Sequence, residues 1–169
     1  EPVSKGKDSE LVIEVDGKEK TIPARVEKNI GFTKEIKIPV MANIVVDKET
    51  KAVVVTYGNQ KFAVNDRESS ELMTPERELK NYKEEAPLSE PSGDVPVTEI
   101  DLNKYPSLKD KYDWMLRVDG TNLTEIYIVK YYEKDKAKRK LAARFLIPSS
   151  EYNEEALLKM ISILDSVKY

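Results

Sequence analysis

The sequence predicts an α+β domain: a mainly antiparallel β-sheet built from hairpins and a meander, with helices packed on its faces. Three observations carry this. LVIEVDGKEKTIPARV alternates apolar and polar residues on both sides of Asp16-Gly17, and Asp-Gly between alternating runs is a strong hairpin signal. LTEIYIVKYY and KLAARFLIP form a second pair of alternating runs around EKDKAK. NEEALLKMISILDSV brings Leu157, Met160, Ile161, Leu164 and Val167 onto one stripe at helical spacing.

The elements follow in chain order. Residues 1–10, EPVSKGKDSE, are polar and non-periodic and read as a tether; residues 11–169 read as a single domain. In the first hairpin Leu11, Ile13 and Val15 share one face and Ile22, Ala24 and Val26 the matching face. GFTKEIKIP is the next strand, with Phe32, Ile36 and Ile38 as inward candidates. ANIVVDKETKAVVVTYGNQKFAVND reads as three strands turned at DKET and GN. Val53, Val54 and Val55 are consecutive, so their strand is expected at the centre of the sheet with cover on both faces. Thr74 is an N-cap followed by Pro75, which predicts a helix over 75–85 with Leu79 and Tyr82 facing inward. Residues 86–98 form a proline-rich internal loop, YPSLKDKYD a short helix, and WMLRVDG a strand. LTEIYIVKYY puts Ile126, Ile128 and Tyr132 on one face and Tyr127, Val129 and Tyr131 on the other. Its partner aligns Leu141, Ala143, Phe145 and Ile147, and Asn153 caps the final helix.

Composition bounds the chemistry. Hydrophobic residues make up 40% and charged residues 35% of the 169, a balance that folds with a charge-heavy surface. No apolar run approaches the length that spans a bilayer. There is no histidine, which removes Ser-His-Asp and Cys-His triads and histidine metal ligands. There is no cysteine, hence no thiolate nucleophile, zinc–thiolate site or disulfide. No Gly-rich phosphate loop or D-x-D-x-D-G calcium loop appears. No cofactor and no metal site is expected. Cysteine-free chains of this size are common among exported bacterial proteins that do not rely on disulfides. The start at Glu1 suits a protein from which a leader, with a lipidated cysteine, has been cut away; a domain excised from a longer chain would start the same way.

KYYEKDKAKRKLAAR, from Lys130 to Arg144, holds seven basic and two acidic side chains. It lies between two strands, so EKDKAK reads as a solvated turn; contact with an anionic polymer or a membrane headgroup is the sharper alternative. Lys138 and Lys140 fall on the face opposite Arg139, which splits the charge across the hairpin. The net charge of −3 argues against general affinity for polyanions, and no nucleic-acid partner is expected.

Tyr127 and Tyr131 share a face of the long strand, and Trp114 precedes the Asp119-Gly120 turn. The last helix suits the Ile126/Ile128 face, which leaves the tyrosine face the less covered one. Tyr127, Tyr131 and Trp114 are therefore the candidate binding residues for a protein or cell-envelope partner. Tyrosines on a sheet usually pack against a neighbouring element, however, and Trp114 equally reads as core, so the binding surface and an interior packing are both open here.

Ile22-Pro23-Ala24, Gly31-Phe32, Ile38-Pro39 and the closing helix with its Ser166–Tyr169 tail together resemble exported lipoprotein domains of Gram-positive bacteria with a PsbP-like α/β/α sandwich. The hairpin before Gly31 is an addition to that pattern. The resemblance implies a non-enzymatic, extracytoplasmic accessory or binding domain, surface-anchored through a lipid upstream of Glu1, and it carries over no site residues. The alternative function is a cell-envelope hydrolase using a carboxylate pair. Oligomeric state is not legible.

Overall fold

The computed structural model describes residues 8–70, 74–85 and 96–169. The fold is α+β and its sheets are antiparallel throughout. Strands β1 (Ser9–Val15), β2 (Lys18–Ile30) and β3 (Thr33–Pro39) form a three-stranded sheet. The remaining strands are β4 (Asn43–Val46), β5 (Val53–Tyr57), β6 (Gln60–Glu68), β7 (Val97–Glu99), β8 (Trp114–Asp119), β9 (Leu123–Lys134) and β10 (Ala137–Pro148). They form a second sheet in the order β4-β5-β6-β10-β9-β8-β7. The helices among the described residues are α1 (Pro75–Glu85), α2 (Pro106–Lys109) and α3 (Glu154–Ser166), with a 3₁₀ turn at Leu102–Lys104.

Local sequence explains most of this. Asp16 and Gly17 both take positive φ, the geometry that closes a two-residue hairpin. Asn153 Oδ1 accepts from Ala156 N at 2.8 Å and starts α3, and Thr74 Oγ1 accepts from Arg77 N at 3.2 Å and starts α1. Gly31 sits at φ +56°, where a Cβ would lie 3.1 Å from a Val53 methyl and 3.3 Å from one of Val46. The β2–β3 turn is thus laid directly on the large sheet, a placement only glycine accepts without adjustment.

The seven-stranded sheet has two unlike faces. On the inner face Val53, Val55, Phe62, Val64, Ile126, Ile128, Ala143, Phe145 and Ile147 are buried together with α3 and the small sheet's Leu11, Ala24, Ile36 and Ile38. Helix α3 lies against β1, β3 and β10, wedged between the two sheets. Arg25 is buried, and its guanidinium donates to Ala42 O (2.7 Å), Val40 O (2.5 Å) and Glu27 Oε1 (2.8 Å), so the cation is fully occupied. On the outer face a smaller cluster of Trp114, Leu116, Tyr127 and Val129 packs against Leu79 and Tyr82 of α1.

Three expectations are corrected. Strand β5 is second from the edge, and Val54, on the outer face, is only half-buried. The cover supplied by α1 lies over β8 and β9 and reaches β10 at Lys140, which leaves β5 beyond it. The fold begins before residue 11: Asp8 N donates to Ala24 O and Glu10 pairs with Pro23. The interval 86–98 ends in strand, since Val97 and Thr98 pair with Val118 and Arg117; its residues 86–95, and residues 1–7 of the tether, lie outside the described residues. Among the described residues, no helix is long and apolar enough to cross a membrane.

Candidate functional site

Strand and helix lengths create the main concavity. A helix rises about 1.5 Å per residue and a strand about 3.3 Å, so α3 spans roughly 20 Å and β9 roughly 40 Å. The C-terminal end of α3 meets the β9–β10 hairpin at Lys130 and Leu141, which line a small cavity with Leu164 and Val167, and the inner face of the hairpin overhangs beyond that point. The space beneath is a groove of about 650 Å³. Strand alternation points Lys130, Tyr132 and Lys134 of β9 into it, with Ala137, Arg139 and Leu141 from β10. Asp66 of β6 joins the floor, and Phe32 and Tyr169 line it as well. The Phe32 and Tyr169 rings stack at 5.7 Å and 11°. Backbone pairing of Lys168 with Glu35 and Lys34 holds the final segment beside β3 and so places Tyr169.

The polar groups are organised. The Tyr132 hydroxyl donates to Asp66 Oδ2, and Arg139 Nε donates to Asp66 Oδ1 at 2.7 Å. Burial, and then the Asp66 hydrogen bond, push the Tyr132 phenol above its ordinary range, so it stays a neutral donor at physiological pH. The Asp66 charge is occupied by Arg139 and Tyr132. Lys130 Nζ lies 5.9 Å from the Tyr132 ring centroid, at the outer reach of a cation–π contact. Lys134, exposed at the mouth, makes no ion pair among the described residues. Asp135 and Lys136 close the hairpin with φ of 53° and 67°, two left-handed residues of which neither is glycine.

The residues singled out from sequence sit elsewhere. Trp114 and Tyr127 are each 3% exposed, edge-to-face at 5.2 Å, and Tyr82 of α1 stacks edge-on to Tyr127 at 4.7 Å. Of the two readings, packing against a neighbouring element is the one found at these two positions: α1 lies on them. Tyr131 is half-buried and lines a small cleft of about 210 Å³ with Pro75. The three are close together, but the surface they make belongs largely to the interior. Tyr132, read from sequence as an inward apolar position, is the tyrosine that lines the groove. The Lys138/Lys140 side of the hairpin does oppose Arg139: Lys140 is buried and pairs with Glu78 of α1.

Two other depressions offer less. One of about 570 Å³, between β1, α2 and α3, is lined by Glu14, Asp16, Glu154 and Asp165 among others. Glu154 accepts from the Tyr105 hydroxyl at 3.1 Å. Glu154 and Asp165 lie eleven positions apart on the helix, about 16 Å along the axis, against roughly 5–9.5 Å between the carboxylates of glycoside hydrolases. The other, about 320 Å³, is the open part of the outer face, where Val54, Ala63, Ala142 and Leu146 are rimmed by Arg67 and Arg144. Among the described residues no three acids converge as metal ligands.

Fold and groove together define the class: an α+β domain that carries an aromatic and basic groove of about 650 Å³ at a hairpin end. No protein-family model matches the chain, and no curated protein matches it either.

Proposed function

We propose that this chain is a non-catalytic, extracytoplasmic accessory or binding domain of a surface-anchored bacterial lipoprotein, resembling the PsbP-like sandwich domains, and that the groove under the β9–β10 hairpin is its working surface. The observation that carries the reading is the groove's lining. Three aromatic rings and three cations face one concavity, while its best-buried acid, Asp66, is tied up by Arg139 and Tyr132. A catalytic carboxylate site needs converging acids with room for a substrate between them. A binding site needs a shaped, partly apolar surface with a few fixed polar groups, which is what this lining supplies. The extracytoplasmic part rests on the cysteine-free composition and on the resemblance in Ile22-Pro23-Ala24, Gly31-Phe32, Ile38-Pro39 and Ser166–Tyr169.

Cells expressing the full-length gene would be fractionated and the protein located by immunoblot. The expected result is recovery in the envelope or medium. Recovery mainly in the cytosol would overturn the extracytoplasmic reading.

A further inference from the structure

The geometry points to an acidic glycan, sparse in charge, as the ligand of the groove: its sugar rings lie on Tyr132 and on the Phe32–Tyr169 stack, and its acid groups meet Lys130 and Lys134. The inference rests on the groove being a binding surface, and it names what binds there.

Lys130, Tyr132 and Lys134 are consecutive inward residues of one strand, so the two cations stand roughly 13 Å apart along β9 with the ring between them. An elongated ligand with separated charges fits that spacing; a single compact anion reaches one lysine only. Tyr132 is anchored through its hydroxyl by Asp66, which Arg139 holds in turn, so the ring is set before any ligand arrives. Preorganised rings lose little freedom on binding. Flat sugar faces present C–H groups that stack on such rings, and sugar hydroxyls can both donate to a carboxylate and accept from a guanidinium.

Charge separates this class from nucleic acid. The groove holds Lys130, Lys134 and Arg139 against Asp66 and Asp135, and the whole chain carries −3. A phosphodiester chain, charged at every residue, would bring phosphates against the exposed Asp135 and leave Arg139, already paired with Asp66, poorly placed to compensate. A glycan with acid groups only at intervals can place them at the lysines and its hydroxyls at Asp66 and Arg139.

The test titrates the full chain by calorimetry, at low and at physiological salt. The probes are a hyaluronan hexasaccharide, a neutral chitin hexasaccharide, a twelve-residue oligothymidylate and an oligoglutamate. The expected order places the acidic glycan first. Lys130→Ser/Lys134→Ser should weaken it about tenfold or more, the loss of one to two charge-assisted contacts. Lys18→Ser/Lys109→Ser, which removes the same charge from exposed sites outside the groove, should leave it within about twofold, since distant exposed charges are screened. Tyr132→Ala should abolish binding, while Tyr132→Phe, which keeps the ring but frees it from Asp66, should weaken binding without abolishing it. Thermal melts of each variant separate lost binding from lost fold: Lys134 is exposed at the strand end, whereas Lys130 is half-buried within β9. Tighter binding of oligothymidylate or oligoglutamate, with the same lysine dependence, overturns the glycan assignment and leaves the groove as a binding site. Equal weakening by both double-lysine variants, or no binding of the acidic glycan, overturns the assignment as well. None of these outcomes bears on where the protein resides, which fractionation reads separately.

Discussion

The two faces of the seven-stranded sheet come from the same strands yet are finished differently. The inner face is filled by α3 and the small sheet, and Phe62, Val64, Ile126, Ile128, Phe145 and Ile147 are fully buried there. Among the described residues the outer face is covered by α1, packed over Trp114 and Tyr127, and Leu146 and Val54 are half-buried. The inner face nevertheless carries the larger concavity, because its cover is shorter than its strands. A well-filled core and a binding groove on one face are not in conflict: the core ends where the helix ends, and the overhanging hairpin becomes the groove.

The largest expected effect tests the filled side. Phe145→Ala removes a ring stacked on Phe62 in a region with no room to collapse, and should cost about 3–5 kcal/mol in chemical denaturation. Leu146→Ala, one residue along and facing the open side, should cost about 1 kcal/mol because much of its surface is already wet. Similar losses at both positions would remove the contrast between the faces.

Next comes the attachment of α1. Lys140 on β10 is buried and its ammonium meets Glu78 of α1. Glu78→Ala strands that cation and should cost about 3 kcal/mol. Glu78→Met with Lys140→Met should recover most of it, since the burial is retained without the charges. A loss under about 0.5 kcal/mol, the range of ordinary surface substitutions, would mean that α1 does not hold the outer face as described.

The smallest effect lies at the hairpin tip. Lys136 sits at φ 67° in a two-residue turn. Lys136→Gly creates Asp-Gly, the pair that such turns favour, and should stabilise by about 0.5–1 kcal/mol, the left-handed penalty relieved less the entropy of glycine. A destabilised variant would contradict the left-handed assignment.

The strands and both long helices were legible because their signals are local. Alternation around Asp16-Gly17 and EKDKAK, the Asn153 cap and the Thr74-Pro75 start each specify an element within a few residues. Leu79 and Tyr82 were readable as inward, yet nothing local says which face of which strand they cover. That is why Trp114 and Tyr127 read as an open surface and are in fact beneath α1. The same limit hid β7, three residues long and paired only through β8. The groove was half legible. Lys130, Tyr132 and Lys134 alternate onto one face by strand period alone. Asp66, Phe32 and Tyr169 reach them through β6 pairing, the Gly31 turn and the final bridge to β3, which are contacts between residues far apart in the chain.

The most direct measurement is an amide-resolved NMR titration of the full chain with the acidic hexasaccharide, because it asks which face of the sheet a ligand uses. The expected shifts centre on Lys130 to Arg139, with Phe32, Asp66 and Tyr169 following and the amides of Val54, Ala63 and Ala142 unmoved. Shifts centred on Val54, Ala63, Ala142 and Arg144 would place binding on the open outer face and contradict the assignment of the groove.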